Sequence, residues 1–200
     1  MKKTGVLLLT VGVIVLASGL TLVRWKSWSP VKAPLFLKAG NHVDFPFRAQ
    51  FSARHYIYLT VNQGEDWKRT QCLLGAEMYA DLCKSLPSIV DVSWTVSSQD
   101  KLIDRGDASK WLGTRGVTGR LIGVFETKKG TPYTFSISVN RDGVALNALD
   151  PKVTVEVDDR ILEQHLIEAT ILQWTGGIIA ALGLIVFSWA LWAAGANKAG

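Results

Sequence analysis

The chain has 200 residues, enough for one domain with accessory segments, and its formal net charge at neutral pH is +5. Three of the 22 basic residues lie in the chain ends, and all 17 acidic residues lie between two apolar stretches, so the middle of the chain is nearly balanced in charge. A balanced surface lacks the basic patch that binds phosphates, and we therefore expect no nucleic-acid partner.

The first apolar stretch, residues 4–23, is uncharged and long enough to cross a bilayer. It follows Met-Lys-Lys, as in a cleavable signal peptide, and the small residues at 17–19 would suit a peptidase. However, the apolar run continues past them and ends at Arg24, which is typical of a retained span. We predict a signal-anchor-like transmembrane helix over residues 1–24. The tryptophans expected at its lipid–water boundary are Trp25 and Trp28.

Residues 25–43 contain Pro30, Pro34 and Gly40 and predict an extended linker. The following segment, residues 44–157, has the period of β-strands and little helical pattern. Its alternating or apolar runs lie at 44–53, 55–61, 89–96, 119–127, 133–139 and 152–157.

This pattern is mainly β and predicts an antiparallel β-sandwich of about seven or eight short strands with a small helical insertion, flanked by N- and C-terminal transmembrane helices. Turn signals at 129–130 and 142–143 separate consecutive strands. The side chains expected in the core are Phe135, Ile137, Val139, Val153, Val155 and Val157.

Both cysteines lie in the insertion, at Cys72 and Cys83. An unbroken helix would separate them by about 16 Å along its axis, too far for a disulfide. A turn at Gly75 followed by a helix over about 76–85 would bring them together, and we predict a structural disulfide. Metal and redox pairs are the weaker alternatives, because these usually use Cys-x-x-Cys spacing.

Several motifs resemble functional sites but lack the necessary context. The glycine-rich run 113–120 has no Gly-Lys-Ser/Thr ending and precedes a strand, so we interpret it as a surface loop. The Arg-Gly-Asp tripeptide at 105–107 is interpreted as a turn. Three aspartates lack the glycine and glutamate of a calcium loop and are interpreted as parts of a solvated loop; they are Asp100, Asp104 and Asp107. No catalytic, cofactor-binding or metal-ligating set is predicted.

A second apolar stretch begins at Ala169. Asp158 and Asp159 can cap a helix that rises as a short stalk into this stretch, so residues 158–195 are predicted as stalk and second transmembrane helix, with 196–200 as a short tail. The tryptophans expected at its two membrane interfaces are Trp174, Trp189 and Trp192.

Small residues recur every seventh position in both apolar stretches. A seven-residue period places them on one stripe of each helix, where close backbone approach is favoured in lipid. We predict that the two stripes pack against each other. The residues of this contact are Gly5, Gly12 and Gly19 in the first helix and Gly176, Gly183 and Ala190 in the second.

The location follows from the two spans. Basic residues near the helix ends are more numerous on the domain side, but a domain of this size crosses a membrane largely regardless of its charge. We predict a bacterial inner-membrane protein with both termini in the cytoplasm and the central domain in the periplasm.

The function expected is non-enzymatic: the domain binds another protein, as an accessory subunit of an envelope complex or as an immunity-type protein that intercepts a toxin. Its partners would be the lipid bilayer and a further envelope protein. The alternative is an envelope enzyme or glycan-binding module with an aromatic-lined site among Trp67, Trp94 and Trp111. A sensor is less favoured, because the short C-terminal tail cannot hold an output domain.

Overall fold

The computed structural model describes residues 2–26, 29–75, 80–109, 112–116 and 118–196. The chain forms two compact units. One consists of the two chain ends, which contain the long helices, and the other is the domain Ser29–Asp158.

The domain is built from two antiparallel sheets. Its described residues form nine strands: β1 (Val31–Pro34), β2 (His42–Arg48), β3 (Arg54–Thr60), β4 (Val92–Ser98), β5 (Lys101–Asp107), β6 (Thr114–Arg115), β7 (Gly119–Glu126), β8 (Pro132–Val139) and β9 (Lys152–Val157). The five-stranded sheet has the order β1-β9-β3-β7-β6, and the four-stranded sheet has the order β2-β8-β4-β5.

Five helices occur in the described parts of the chain: α1 (Lys2–Lys26), α2 (Trp67–Leu74), α3 (Ala80–Cys83), α4 (Val144–Asn147) and α5 (Asp159–Ala196). Within α1, Lys3–Thr21 is long and apolar enough to cross a bilayer, and within α5 the same holds for Asp159–Trp192. The long terminal helices raise the helical share of the chain, but the prediction of a mainly β fold for the middle segment is confirmed.

A single hydrophobic core joins the inner faces of the two sheets. The alternation of β8 and β9 directs their apolar side chains into it, as the period of a strand requires. The six core side chains expected from the sequence are all buried: Phe135, Ile137, Val139, Val153, Val155 and Val157. From the four-stranded sheet, Trp94 reaches across this core and donates its indole N–H to the carbonyl of Ile122, at 2.9 Å.

The prediction of a linker over 25–43 is wrong. Within it, β1 pairs with β9, and the next residues enter the core, where Leu35 and Leu37 are each 1% exposed. Proline was taken as a sign of a linker, but Pro34 is the last residue of an edge strand, a position where its missing N–H is tolerated. The domain therefore begins at Ser29, not at residue 44.

The interpretation of residues 105–107 as a turn is also wrong, since they belong to β5, and so is the placement of Asp104 and Asp107 in a loop. Instead, β4 and β5 form a hairpin whose turn residues are Gln99 and Asp100, with φ values of 49° and 61°. Both angles suit the two-residue turn that favours tight hairpins. The turn contains no glycine, so it lacks the usual sequence pattern of a hairpin turn. The strand carries four charges, so it lacks the apolar alternation of a strand.

Candidate functional site

The two long helices contact each other through the predicted glycines. A Cβ atom added at Gly176 would lie 2.5 Å from the amide nitrogen of Leu16, and a Cβ atom added at Gly183 would lie 2.5 Å from the amide nitrogen of Leu9. On α1, Gly12 is pressed against the backbone of Ala180. The helices are antiparallel, and these three glycines face the backbone of the other helix, with Gly176 also against the carbonyl of Gly12.

The remaining positions of the two stripes follow the same seam. Gly5 lies against Phe187, Gly19 lies against Gln173 and the carbonyl of Ala169, and Ala190 is buried. Close backbone packing of this kind is the arrangement that small residues permit between helices in lipid.

The tryptophans of α5 are exposed. Trp174 and Trp192 are 72% and 71% exposed, and Trp189 is 55% exposed. Eighteen residues separate the first from the last, which corresponds to about 27 Å along a helix and is close to the thickness of a hydrocarbon core. Among the tryptophans expected at the first interface, the side chain of Trp25 and all of Trp28 lie outside the described residues.

The two cysteines are joined by a disulfide, with Cα atoms 5.1 Å apart. Asp66 caps the start of α2 by accepting a hydrogen bond from the backbone N–H of Arg69, and Gly75 ends the helix with a φ of 85°. That left-handed residue reverses the chain, as the turn expected at Gly75 requires. The sequence did not predict α2, the helix that ends at this turn. Of the helix predicted over 76–85, the described residues include α3.

Arg120 ties this insertion to the domain. Its side chain is buried and donates to the carbonyl of Leu74 at 2.7 Å, to the hydroxyl of Ser88 at 3.2 Å and to the carbonyl of Ala108. A cation is favourable at the carbonyl end of a helix, which is where Leu74 lies. The glycine-rich run 113–120 thus ends in a structural residue of β7.

The three tryptophans proposed to line a glycan site do not form a groove in the described structure. Trp94 is a core residue, enclosed between Gly106 and Gly123. Trp67 lies at the start of α2 with the ammonium group of Lys68 5.8 Å from its ring centre, and Trp111 lies outside the described residues.

His55 is a buried titratable group of the domain core. His55 is buried against Phe125, with ring centres 5.4 Å apart, and its burial lowers its pKa below the ordinary value despite a hydrogen bond with the carbonyl of Ala53. No group of three or more histidines, cysteines, aspartates or glutamates in the described parts of the chain could hold a metal ion.

A more prominent feature is the outer face of the five-stranded sheet. Tyr56 and Tyr58 stand two residues apart on β3, with ring centres 6.3 Å apart. Arg115 of β6 lies over the Tyr58 ring at 5.2 Å and forms an ion pair with Glu156 of β9. These four residues are called the Tyr–Arg face.

The pairing register explains how this face is assembled. Tyr56 is opposite Glu156 on one side and Val124 on the other, and Tyr58 is opposite Leu121. The hydroxyl of Tyr56 also donates to the carboxylate of Asp158, at 3.2 Å. The two tyrosine rings, the guanidinium of Arg115 and the carboxylate of Glu156 contact one another and remain partly exposed. These contacts fix the side-chain conformations before any partner binds, so the face is preorganised.

The Tyr–Arg face was missed at the sequence level. The alternation of HYIYLT places two tyrosines on one face of a strand, which is a local signal. The partners come from β6 and β9, and only the strand order shows that they meet.

The outer face of the four-stranded sheet is different in kind. Its central strands, β4 and β8, bear small hydroxyl side chains in opposite positions. These are Ser93, Thr95, Ser97, Thr134, Ser136 and Ser138. Such side chains provide little contact area, so this face is the weaker candidate for a tight interface.

No protein-family model matches the chain, and no curated protein matches its sequence. The crystal structure of GEBA250068378 from Sulfurospirillum deleyianum is similar, with a TM-score of 0.54 and 18% sequence identity over 66% of this chain and 99% of that one. This likeness supports the fold of the β domain.

Two weaker likenesses concern proteins of known type. The first is the Aeromonas hydrophila PliG, a periplasmic lysozyme inhibitor of g-type lysozyme, with a TM-score of 0.26 and 6% identity over 64% of this chain and 83% of that one. The second is a ruminal GH26 endo-beta-1,4-mannanase, with a TM-score of 0.28 and 12% identity over 66% of this chain and 21% of that one. Both TM-scores are too low to inform the function of this chain.

Proposed function

We propose that this is a membrane-anchored, non-enzymatic protein whose β-sandwich domain lies outside the cytoplasm and binds another protein through the Tyr–Arg face. The observation that carries this proposal is the face itself. Tyrosine and arginine are enriched among the residues that dominate binding energy at protein interfaces. Their mutual contacts in this chain reduce the entropy lost on binding.

The membrane anchorage is supported by what the two long helices expose. Large apolar side chains such as Leu7, Ile14 and Ile185 are each at least 60% exposed. Exposed apolar surface on this scale is unfavourable in water and favourable in a bilayer. We infer two spans with the domain between them, which places both termini on the same side.

The compartment is supported by the disulfide. Disulfides persist in oxidising surroundings such as the bacterial periplasm and are rare in the cytosol. A periplasmic domain with cytoplasmic termini in a bacterial inner membrane accounts for the bridge and the two spans together. The partner would be an envelope protein, either a complex of which this chain is an accessory subunit or a toxin that it intercepts.

The test is photocrosslinking of the full chain in its native membranes. A photoreactive residue replacing Tyr58 should give one discrete adduct of higher mass, and one replacing Ser136 on the other outer face should give none. Arg115→Ala in the Tyr58 crosslinking variant should reduce the adduct at least tenfold. Absence of any adduct at position 58, or the same adducts at 58 and 136, would refute the proposed face.

A further inference from the structure

The four sheet edges of the domain are not equally protected. β1 is four residues long and ends in Pro34, β6 is two residues long, and β2 carries Pro46 within it. Short strands and prolines are the usual means of preventing an edge from pairing with another chain. The fourth edge, β5, has seven residues and no proline. It carries Lys101 and Arg105 and a bulge at Ile103, and it exposes Leu102 and Ile103 by about half.

The open side of β5 is close to an open side of β7. In the described part of the chain β5 pairs with β4 alone, and β6 with the preceding Gly113 covers β7 from Gly119 to Leu121. Gly106 of β5 and Gly123 of β7 both contact the Trp94 ring, which brings the two strands together at that point. Beyond it, a cleft of about 440 Å³ lies between β5 and β7. We call this cleft the seam.

The lining of the seam defines the chemistry of an occupant. Its apolar part consists of Ile103, Val124 and Phe125. Its charged part consists of Asp104, Glu126 and Arg54, of which Arg54 is already 3.7 Å from Glu126. One carboxylate is therefore in excess, and a cation beside an apolar side chain would be complementary.

A second copy of this chain does not fit β5. Symmetric antiparallel pairing must be centred on a residue, and three registers pair five or more residues of the strand. A centre at Asp104 or Arg105 places that residue opposite its own copy, and a centre at Ile103 places Lys101 opposite Arg105. Each register sets like charges directly across the strand pair, which is destabilising.

We propose that β5 is a docking edge for an extended segment of a partner protein. The segment adds a strand to the four-stranded sheet, inserts an apolar side chain into the seam and places a Lys or Arg beside Asp104. Main-chain hydrogen bonds to the edge provide affinity, and the alternate side chains provide specificity. This site is separate from the Tyr–Arg face and rests on the proposed function only in taking the partner to be a protein.

The test uses the full chain in detergent and two synthetic heptapeptides, one alternating Lys and Val and the other alternating Glu and Val. The Lys–Val peptide should bind at least tenfold more tightly by fluorescence anisotropy. At saturation it should slow amide hydrogen exchange within Lys101–Asp107 at least tenfold. Equal binding of the two peptides, or protection that maps elsewhere, would overturn the proposal.

Charge reversal provides the matched control. Asp104→Lys should invert the preference between the two peptides, whereas Asp44→Lys, the same change on the opposite edge strand β2, should leave it unchanged. Tyr58→Ala should also leave it unchanged, so failure at the seam and failure of the Tyr–Arg face are distinguishable. An Asp104→Lys protein that folds, as judged by circular dichroism, yet keeps the original preference contradicts the assignment.

Discussion

His55 shows how one buried side chain can make the stability of this domain depend on pH. Its imidazole is fully buried, stacks on Phe125 and lies 6.4 Å, between ring centres, from Phe47. The hydroxyl of Thr127 lies 3.4 Å from its Nδ1. Burial therefore favours the neutral ring and lowers the pKa of His55.

The sign of the resulting pH dependence follows from linkage. Below the ordinary His pKa of 6.5, the unfolded chain binds a proton that the folded chain does not. The full stability is thus present above pH 6.5 and is lost as the pH falls from there toward the lowered folded-state pKa. The slope contributed by this one residue approaches about 1.4 kcal/mol per pH unit.

We predict that His55→Phe removes this part of the acid sensitivity. The measurement is the free energy of unfolding in urea at pH 7.0 and pH 5.5, for the full chain in detergent. His42→Phe is the control, because His42 is exposed beside Asp44 and its replacement should leave the steep part of the profile in place. Equal pH dependence in the wild type and in His55→Phe would show that His55 is not its source.

At the scale of elements, the sequence predicted what depends on local periodicity. The alternation in β8 and β9 was sufficient to identify their core side chains, and the position of Gly75 was sufficient to suggest the disulfide. β1 was missed because its pairing with β9 joins residues more than 100 positions apart. β5 was missed because charged side chains on an exposed edge have no apolar period.

The Tyr–Arg face was harder to predict from the sequence, because its residues come from strands that are distant along the chain. Tyr58 and Arg115 meet because β6 turns back on β7 and β7 pairs with β3, an order that no local window contains. The helix contact, by contrast, depends on a repeat within each helix, and its glycines were identifiable from their seven-residue spacing.

The helix contact leads to a prediction about additivity. Leucine at Gly12 or Gly183 would have to occupy space now filled by the backbone of the other helix, so each single substitution should destabilise the pair by roughly 1–3 kcal/mol. The double substitution should cost less than the sum, because one separation of the helices already removes both contacts. The measurement is resistance to unfolding in a denaturing detergent series.

Gly177→Leu is the matched control for this experiment. Gly177 is also a helix-interior glycine of α5, but a Cβ atom added there would meet no heavy atom within 4 Å apart from its own stretch of helix. It should therefore be tolerated. A destabilisation by Gly177→Leu equal to that of Gly183→Leu would show that glycine loss, rather than helix separation, is responsible.

At the scale of the whole molecule, the disulfide and the proposed membrane spans must be consistent with the same membrane topology. A bridge between Cys72 and Cys83 is favoured in oxidising surroundings. In the topology that we propose, two spans put both chain ends on the side of the membrane opposite to the domain. An inverted orientation would leave the domain in a reducing compartment. Topology and thiol state must therefore agree with each other.

We predict that a cysteine replacing Lys129, at an exposed turn of the domain, reacts with a membrane-impermeant maleimide in cells whose outer membrane alone is permeabilised. A cysteine replacing Lys3, near the start of α1, should react only after the inner membrane is also opened. Cys72 and Cys83 should contribute no signal until a reductant is added, because the bridge leaves no thiol to alkylate. Labelling at position 3 but not at position 129, with both native cysteines reactive, would require the opposite orientation. In that case the envelope partner proposed for the Tyr–Arg face and the seam would have to be replaced by a cytoplasmic one.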